Sequence, residues 1–442
     1  MIKGGDKMFD VYTLNNGLRV VTEYIEHLNS ISVGVMVQNG SRNASLEVNG
    51  ISHIIEHMFF KGTDKRSAKK IVQDIENIGG QINAYTSKET TCYYIKALNT
   101  HLDLCLDVLS DMLLHSKFDE EEIEKEKGVV IEEINMSTDN PEDVLDDIHS
   151  KVIFNGDSLS YPILGTTDKI KSFNRSKIKD YIKKHYTPYN SVISICGKFD
   201  KLELRKMLEE YFGSWDKEDR YEPTYKNVNL KTGSVYADKK IEQVHINLGL
   251  NGLPYADDKG YSLVMLNNIF GGGASSVLFQ KVREELGLCY SIYSYTQPYL
   301  GVGTFNIYTG LSKQYADKAL EVIDKELKKF ADKGISDEKL NINKEKIKAG
   351  YILGLESTSS RMFANAKCLL LQNKIKTEND VINRINKIDN NDINYVLERC
   401  FKPGIITSAY VGENIDENKL NSVIFDSKVA YDNTDKSGIT EI

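Results

Sequence analysis

No run of about eighteen apolar residues occurs in the chain, so no stretch reads as a membrane-spanning helix. The first residues, Met1-Ile2-Lys3-Gly4-Gly5-Asp6-Lys7-Met8, have neither the apolar centre of a secretory signal nor the arginine-rich pattern of a transit peptide. A basic excess is missing too. Asp and Glu outnumber Lys and Arg by 64 to 56, which leaves a net charge of −8 and no extended footprint for nucleic acid. Paired cysteines are absent: Cys92, Cys105, Cys196, Cys289, Cys368 and Cys400 stand singly, without a C-x-x-C spacing. They read as mostly buried free thiols in a reducing compartment. These absences predict a cytoplasmic protein that neither crosses a membrane nor binds nucleic acid.

What is present is an ordinary globular composition, 40% hydrophobic and 27% charged, in a chain of 442 residues. That length exceeds one ordinary core and suggests two large domains or a few smaller ones. The stretch from Gly213 to about Gly233 turns polar and loses periodicity, which predicts a first domain over 1–215, a linker over 216–233 and a second domain over 234–442. In the first domain, Asn15-Asn16-Gly17 between apolar runs predicts a β-hairpin, and Ile31 to Val37 a further strand. Ser67 to Ile78 has the spacing of a helix with Ile71, Ile75 and Ile78 inward, closed by Gly79-Gly80. Two β-rich runs follow around a polar turn, from Gln81 to Leu98, and helices are predicted over His101–His115 and Asp119–Met136.

The stretch Gly50-Ile51-Ser52-His53-Ile54-Ile55-Glu56-His57-Met58-Phe59-Phe60 carries the chemistry. On a helix, residues four apart stand one above the other, so His53 and His57 can share one ion. Glu56 points to the same side and can serve a water beside that ion as general base. The order His-x-x-Glu-His inverts His-Glu-x-x-His, and both bracket a metal-activated water. The plain alternative is a surface pair or a satisfied core pair. A catalytic zinc takes three protein ligands, so a third must come from elsewhere. Between Phe118 and Ile134 lie many carboxylates, and helical periodicity sorts them. With the apolar stripe centred on Val130, Glu126 and Glu133 fall along one edge, half-buried, while Glu121 and Glu132 face away. Seven residues apart, the two acids lie nearly in line, so one can coordinate an ion and the other orient a ligand.

At this point the chain resembles the inverted zinc-binding peptidases of the pitrilysin, insulin-degrading enzyme and mitochondrial processing peptidase group. The resemblance rests on His53 to His57 followed by Met58-Phe59-Phe60-Lys61-Gly62-Thr63, and on Glu126-x-x-Val129-Val130-x-x-Glu133, whose last glutamate stands 76 positions after His57. It implies that His53, His57 and Glu133 hold one Zn²⁺ per chain, that Glu126 supports them, and that Glu56 is general base on the zinc-bound water. It also implies that Asn83, Ala84, Tyr85 and Thr86 form an edge strand beside the zinc, to which an extended substrate adds itself. Arg283 and Tyr290, spaced as in the family, would steady the peptide carbonyl.

The second half repeats the order of the first. Aligning Gly50-Ile51-Ser52 with Gly260-Tyr261-Ser262 sets His53, Glu56 and His57 against Leu263, Leu266 and Asn267, so only the first half keeps a metal site. The glycines of Phe270-Gly271-Gly272-Gly273-Ala274 lack the Gly-Lys-Ser/Thr of a phosphate loop and read as a turn into a helix that carries Arg283. Ser312 to Asn390 reads as helical with a break at Ser357–Ser360, Ile405 to Gly412 as a last strand, and the residues after about Ala430 as a polar tail. The expected fold class is α+β, with two homologous domains that each pack helices on a largely antiparallel sheet. The resemblance further implies a zinc metalloendopeptidase acting on peptides and unfolded polypeptides, and a homodimer whose four domains enclose a chamber in which Arg283 and Tyr290 serve the partner's zinc. The alternative is a non-catalytic or heteromeric subunit that uses the same fold for assembly or peptide binding.

Overall fold

The computed structural model describes residues 9–215, 223–225, 228–413, 421 and 423. The polar tail after Ala430 lies outside the described residues, as does part of the predicted linker over 216–233.

The first half begins with β1 (Phe9–Thr13), β2 (Arg19–Tyr24) and β3 (Ser30–Val37), followed by α1 (Ile51–Met58) and α2 (Ala68–Glu76). Next come β4 (Gln81–Thr86), β5 (Thr91–Leu98), α3 (Leu102–His115), α4 (Glu120–Asp139) and α5 (Pro141–Ile153). It continues through α6 (Thr167–Ser172), α7 (Arg175–His185), β6 (Ser191–Gly197) and α8 (Lys201–Phe212). The sheet order is β1-β2-β6-β3-β5-β4, with only the β2–β6 pair parallel. Gly17 takes φ +97° in the predicted hairpin turn, where a side chain would be strained and would also strike the Tyr189 ring. The last strand of this half, β6, does not sit at an edge but between β2 and β3.

The second half holds β7 (Gly233–Asp238), β8 (Gln243–Asn251), α9 (Gly260–Phe270), β9 (Ser291–Tyr299) and β10 (Val302–Ser312). Four helices follow, α10 (Ala316–Lys333), α11 (Asp337–Gly354), α12 (Thr358–Gln372) and α13 (Glu378–Asn386), then α14 (Asn390–Val396) and β11 (Thr407–Gly412). Its order, β7-β11-β8-β10-β9, repeats β2-β6-β3-β5-β4 strand for strand, including one parallel pair. Where α1 carries His53 and Glu56, α9 carries buried Leu263 and Leu266. The chain therefore has an α+β fold built twice. The helical run after Ser312 is broken more often than expected, at Gly334, at Leu355–Ser357, at Asn373, which adopts the left-handed conformation, and at Lys387–Asp389, whereas Thr358–Ser360, expected within a break, form the first turn of α12.

The sheets are covered in a way the sequence reading did not foresee. Alternate residues of β3 point to opposite faces, and all of them from Ile31 onward are buried. Val33, Val35 and Val37 join the main core beneath α1 and α3, whereas Met36 joins Val21, Cys92 and Val192 beneath α12 from the second half. Reciprocally, α5 of the first half lies on the second sheet, where Leu145 packs with Tyr308, Ala409 and Val411. Each half thus lends one helix to the other's sheet. The described part of the linker packs as well: Val228 and Leu230 meet Ile153 and Phe154, and the Lys231 N–H donates to Ile153. All six cysteines are buried and free, as expected. No helix among the described residues is long and apolar enough to cross a membrane.

Candidate metal centre

Backbone geometry fixes the start of the helix that carries the two histidines. Gly50 caps α1 with φ +90°, and a Cβ there would come within 2.7 Å of the Leu164 carbonyl, so only glycine fits. Ile51, Ile54, Ile55 and Met58 are buried, which turns His53, Glu56 and His57 out of the core on one face. Four residues apart, the two imidazole rings lie 4.5 Å centroid to centroid.

Helix α4 crosses beside them and brings in Glu126 and Glu133. Glu133 Oε2 stands 3.6 Å from Nε2 of His53 and 3.6 Å from Nε2 of His57. These are not hydrogen bonds. They are near the donor spacing of about 3.3 Å that a tetrahedron with zinc bonds of about 2 Å requires. Two imidazoles and a carboxylate, with donor atoms within 4.8 Å of one another, are also the donor chemistry zinc takes. The residues fit the ion. Glu126 does something different: its Oε1 accepts from His57 Nδ1 at 2.8 Å and its Oε2 pairs with Lys61 Nζ at 2.5 Å. That carboxylate is 5% exposed against 38% for Glu133, so one acid faces the opening and the other is buried behind a histidine. Glu121 and Glu132 face solvent, as the periodicity indicated.

Burial, helped by the neighbouring His57, lowers the His53 pKa to about 4, which keeps that ring neutral and able to ligate. Burial acts the same way on His57, but the hydrogen bond to Glu126 and the nearby glutamates outweigh it and raise its pKa. Burial is also the largest influence on Glu126, upward, yet His57 and Lys61 bring it below the usual carboxylate range. Glu56 is raised by burial, against the hydrogen bond from Thr86.

Strand β4 is an edge strand, as expected, with β5 on one side only. Its four named residues divide between two faces. Ala84 packs on the core beneath α1, and Thr86 Oγ1 donates to Glu56 Oε2. Tyr85 lies on the opposite face against Phe363 of α12, and Asn83 Oδ1 accepts from the Ala84 N–H. What β4 offers an extended chain is therefore its backbone edge. Arg283 and Tyr290 sit together in the second half, the guanidinium 5.3 Å from the tyrosine ring, with Tyr290 74% exposed. Tyr290 precedes β9 instead of lying in it, and among the described residues neither side chain hydrogen-bonds to the His53, His57 and Glu133 group.

The model of the insulinase family, peptidase family M16, matches residues 19–167, and that of the peptidase M16 inactive domain matches residues 172–347. An uncharacterized zinc protease of Bacillus subtilis, YmxG, is 42% identical over 394 residues, 89% of this chain and 96% of that protein. The chain belongs to peptidase family M16. A second relative, an uncharacterized zinc protease of Streptomyces coelicolor, is 34% identical over 391 residues, covering 87% of this chain and 85% of that protein. In fold, the chain superposes on a protease of Helicobacter pylori with TM-score 0.84 at 24% identity, over 91% of this chain and 99% of the other. It also superposes on a chain of complex III2 from Candida albicans with TM-score 0.81 at 18% identity, over 94% and 99%.

Two side chains that shape this M16 centre escaped the sequence reading as site residues with these roles. Lys61 stood inside the quoted motif, but nothing in its spacing shows that it reaches Glu126. Thr86 was expected only as part of the substrate edge strand, and its hydroxyl holds Glu56. The signal for both is reach across the fold, which periodicity does not carry.

Proposed function

We propose that this M16 protein is a zinc-dependent endopeptidase of peptides and unfolded polypeptide segments. The observation that carries the reading is the convergence of His53, His57 and Glu133 donor atoms beside a half-buried Glu56. His53, His57 and Glu133 would hold one Zn²⁺, which when bound supplies Lewis-acid activation of water and carbonyl. Glu56 takes the proton released as water attacks the peptide carbonyl, and its burial moves its affinity for that proton towards what a general base needs. The exposed edge of β4 receives the substrate backbone as an added strand and holds the scissile bond in line. Arg283 and Tyr290 steady the developing oxyanion. The working unit is a homodimeric chamber in the cytoplasm, with these two residues supplied by the partner chain.

The experiment that tests the reading is digestion of a mixed library of short unfolded peptides by purified, zinc-loaded protein, with Glu56→Gln and a chelator as controls. Cleavage in the parent and loss in both controls is expected, with Glu56→Gln still binding zinc. An inert parent that binds zinc would leave the non-catalytic or heteromeric subunit as the better account.

A further inference from the structure

Arg42 is buried, and its guanidinium reaches across the two halves of the chain. Nη1 bonds to Glu89 Oε1 at 2.5 Å and to the Leu300 carbonyl at 2.8 Å, while the Leu300 N–H donates to Glu89 at 3.0 Å. The two side chains are 1% and 7% exposed. A buried ion pair thus closes around both polar groups of one residue, at the turn between β9 and β10. Such a pair is weak evidence for stability, because desolvation offsets much of its attraction, and its better-attested use is to specify one arrangement.

The arrangement it specifies leads to the base. Glu89 lies in the turn between β4 and β5, and the loop that carries Arg42 is pressed against that turn. The Arg42 N–H donates to Lys88 at 2.7 Å and the Ser41 N–H to Ser87 at 3.2 Å. A Cβ on Gly40 would come within 2.3 Å of the Ser87 carbonyl, so the loop and the turn have no slack between them. Three residues before Glu89, Thr86 donates to Glu56. The same loop also holds the metal helix from its other side: Ser52, adjacent to His53, donates to the Gly40 carbonyl at 3.2 Å and receives the Asn39 side-chain amide at 3.2 Å.

We propose that Arg42 and Glu89 form a latch through which the β9–β10 turn of the second half positions Glu56, with Thr86 as the arm that reaches the carboxylate. The inference rests on the peptidase reading above. The side chains of Arg42, Glu89 and Thr86 are positioning groups: Arg42 and Glu89 hold the turn, and the Thr86 hydroxyl is spent on Glu56, apart from any backbone contact β4 makes with substrate. The metal-free half contributes here by fixing the geometry of the half that bears the site.

The test measures kcat and KM on a short peptide, bound zinc and thermal melting for Glu89→Gln, Thr86→Val, Thr86→Ser and the double variant Glu89→Gln/Thr86→Val. Glu89→Gln keeps the shape and an acceptor for Leu300 but removes the ion pair. The expected result is a kcat about ten- to hundredfold lower in Glu89→Gln and in Thr86→Val, with KM and bound zinc near parental values. Thr86→Ser, which keeps the hydroxyl, stays near the parent. If the latch acts through Thr86, the double variant falls no further than the deeper single one. Unchanged kcat in Glu89→Gln, or losses that multiply in the double variant, would overturn the latch. So would a Glu89→Gln protein that loses zinc and folding together with activity, if Thr86→Val then shows parental kcat. An inert parent overturns the latch and the peptidase reading together, whereas an active parent with an unaffected Glu89→Gln overturns the latch alone.

Discussion

Glu126 and Glu133 stand on one helix, two turns apart, and burial separates what they can do. An open carboxylate can meet an ion, whereas a buried one that already holds His57 Nδ1 and Lys61 Nζ has no oxygen left to offer. Its contribution is to fix the His57 tautomer, so that the lone pair on Nε2 points at Glu133, and to place negative charge behind the ring. Replacing it with glutamine in Glu126→Gln keeps the volume and removes the charge. The expected outcome is a zinc affinity about 10- to 100-fold weaker, read by chelator competition, with melting of the zinc-free protein little changed. An unchanged affinity would show that Lys61 and Glu126 form only a structural pair. At this scale the histidines, Glu56 and the pair Glu126 and Glu133 were legible, because each follows from spacing along a single helix, although Glu126 is buried where periodicity made it half-buried. Thr86, Lys61 and Arg42 were not, because each acts on a residue brought to it by packing.

Between elements, the feature that matters most is the exchange of α5 and α12. Two glycines make it possible. Ile31-Ser32-Val33-Gly34-Val35 and Ile246-Asn247-Leu248-Gly249-Leu250 are the same pattern on equivalent strands, and each glycine lies under the helix lent by the other half. This repeat was present in the sequence, but a strand glycine does not say which helix will approach it. The two sites should differ in tolerance. A Cβ on Gly34 meets the sulfur of Met362 at 2.3 Å, the far end of a flexible side chain. One on Gly249 meets Thr407 Oγ1 at 2.3 Å and His149 Nε2 at 2.6 Å, two groups bonded to each other at 2.8 Å. Gly249→Ala is therefore expected to cost about 1–3 kcal/mol in urea unfolding, and Gly34→Ala clearly less. Equal losses would count against this account. His149 adds a pH dependence at the same contact. Burial lowers its pKa from 6.5 to about 4, so between those values the unfolded chain binds the proton and the folded chain does not. The stability gained by keeping it neutral is whole above pH 6.5 and is lost as pH falls towards 4. In His149→Gln the loss of unfolding free energy between about pH 7 and about pH 5 should shrink by about 2 kcal/mol relative to the parent. Other buried histidines titrate in both proteins and cancel from that comparison.

For the molecule as a whole, the exchange fastens the two halves of one chain together. With α5 on the second sheet and α12 on the first, the two halves of one chain are fastened by buried apolar clusters on both sheets, and Arg42 and Glu89 add a polar fastening. Opening one chain like a hinge would expose all of these surfaces at once, at the cost of their hydrophobic burial. A polypeptide is better admitted between two rigid chains than within one, which is the physical reason for favouring a two-chain chamber. The duplicated order of strands was legible from the aligned glycines at Gly50 and Gly260, but the fastening was not, since it pairs residues far apart in the sequence, such as Ser32 with Thr358 and Ser359. If the chamber is shared, the exposed Tyr290 of one chain serves the zinc site of the other, and a chain with a defective base can still lend its tyrosine. Mixing Glu56→Gln subunits with Tyr290→Phe subunits, after dissociation and reassembly, should then restore peptidase activity to up to about a quarter of the parental value, since random pairing makes half the dimers mixed and each has one intact site. Activity no greater than the sum of the two parents alone would place Tyr290 in the service of its own chain, or remove it from the site altogether.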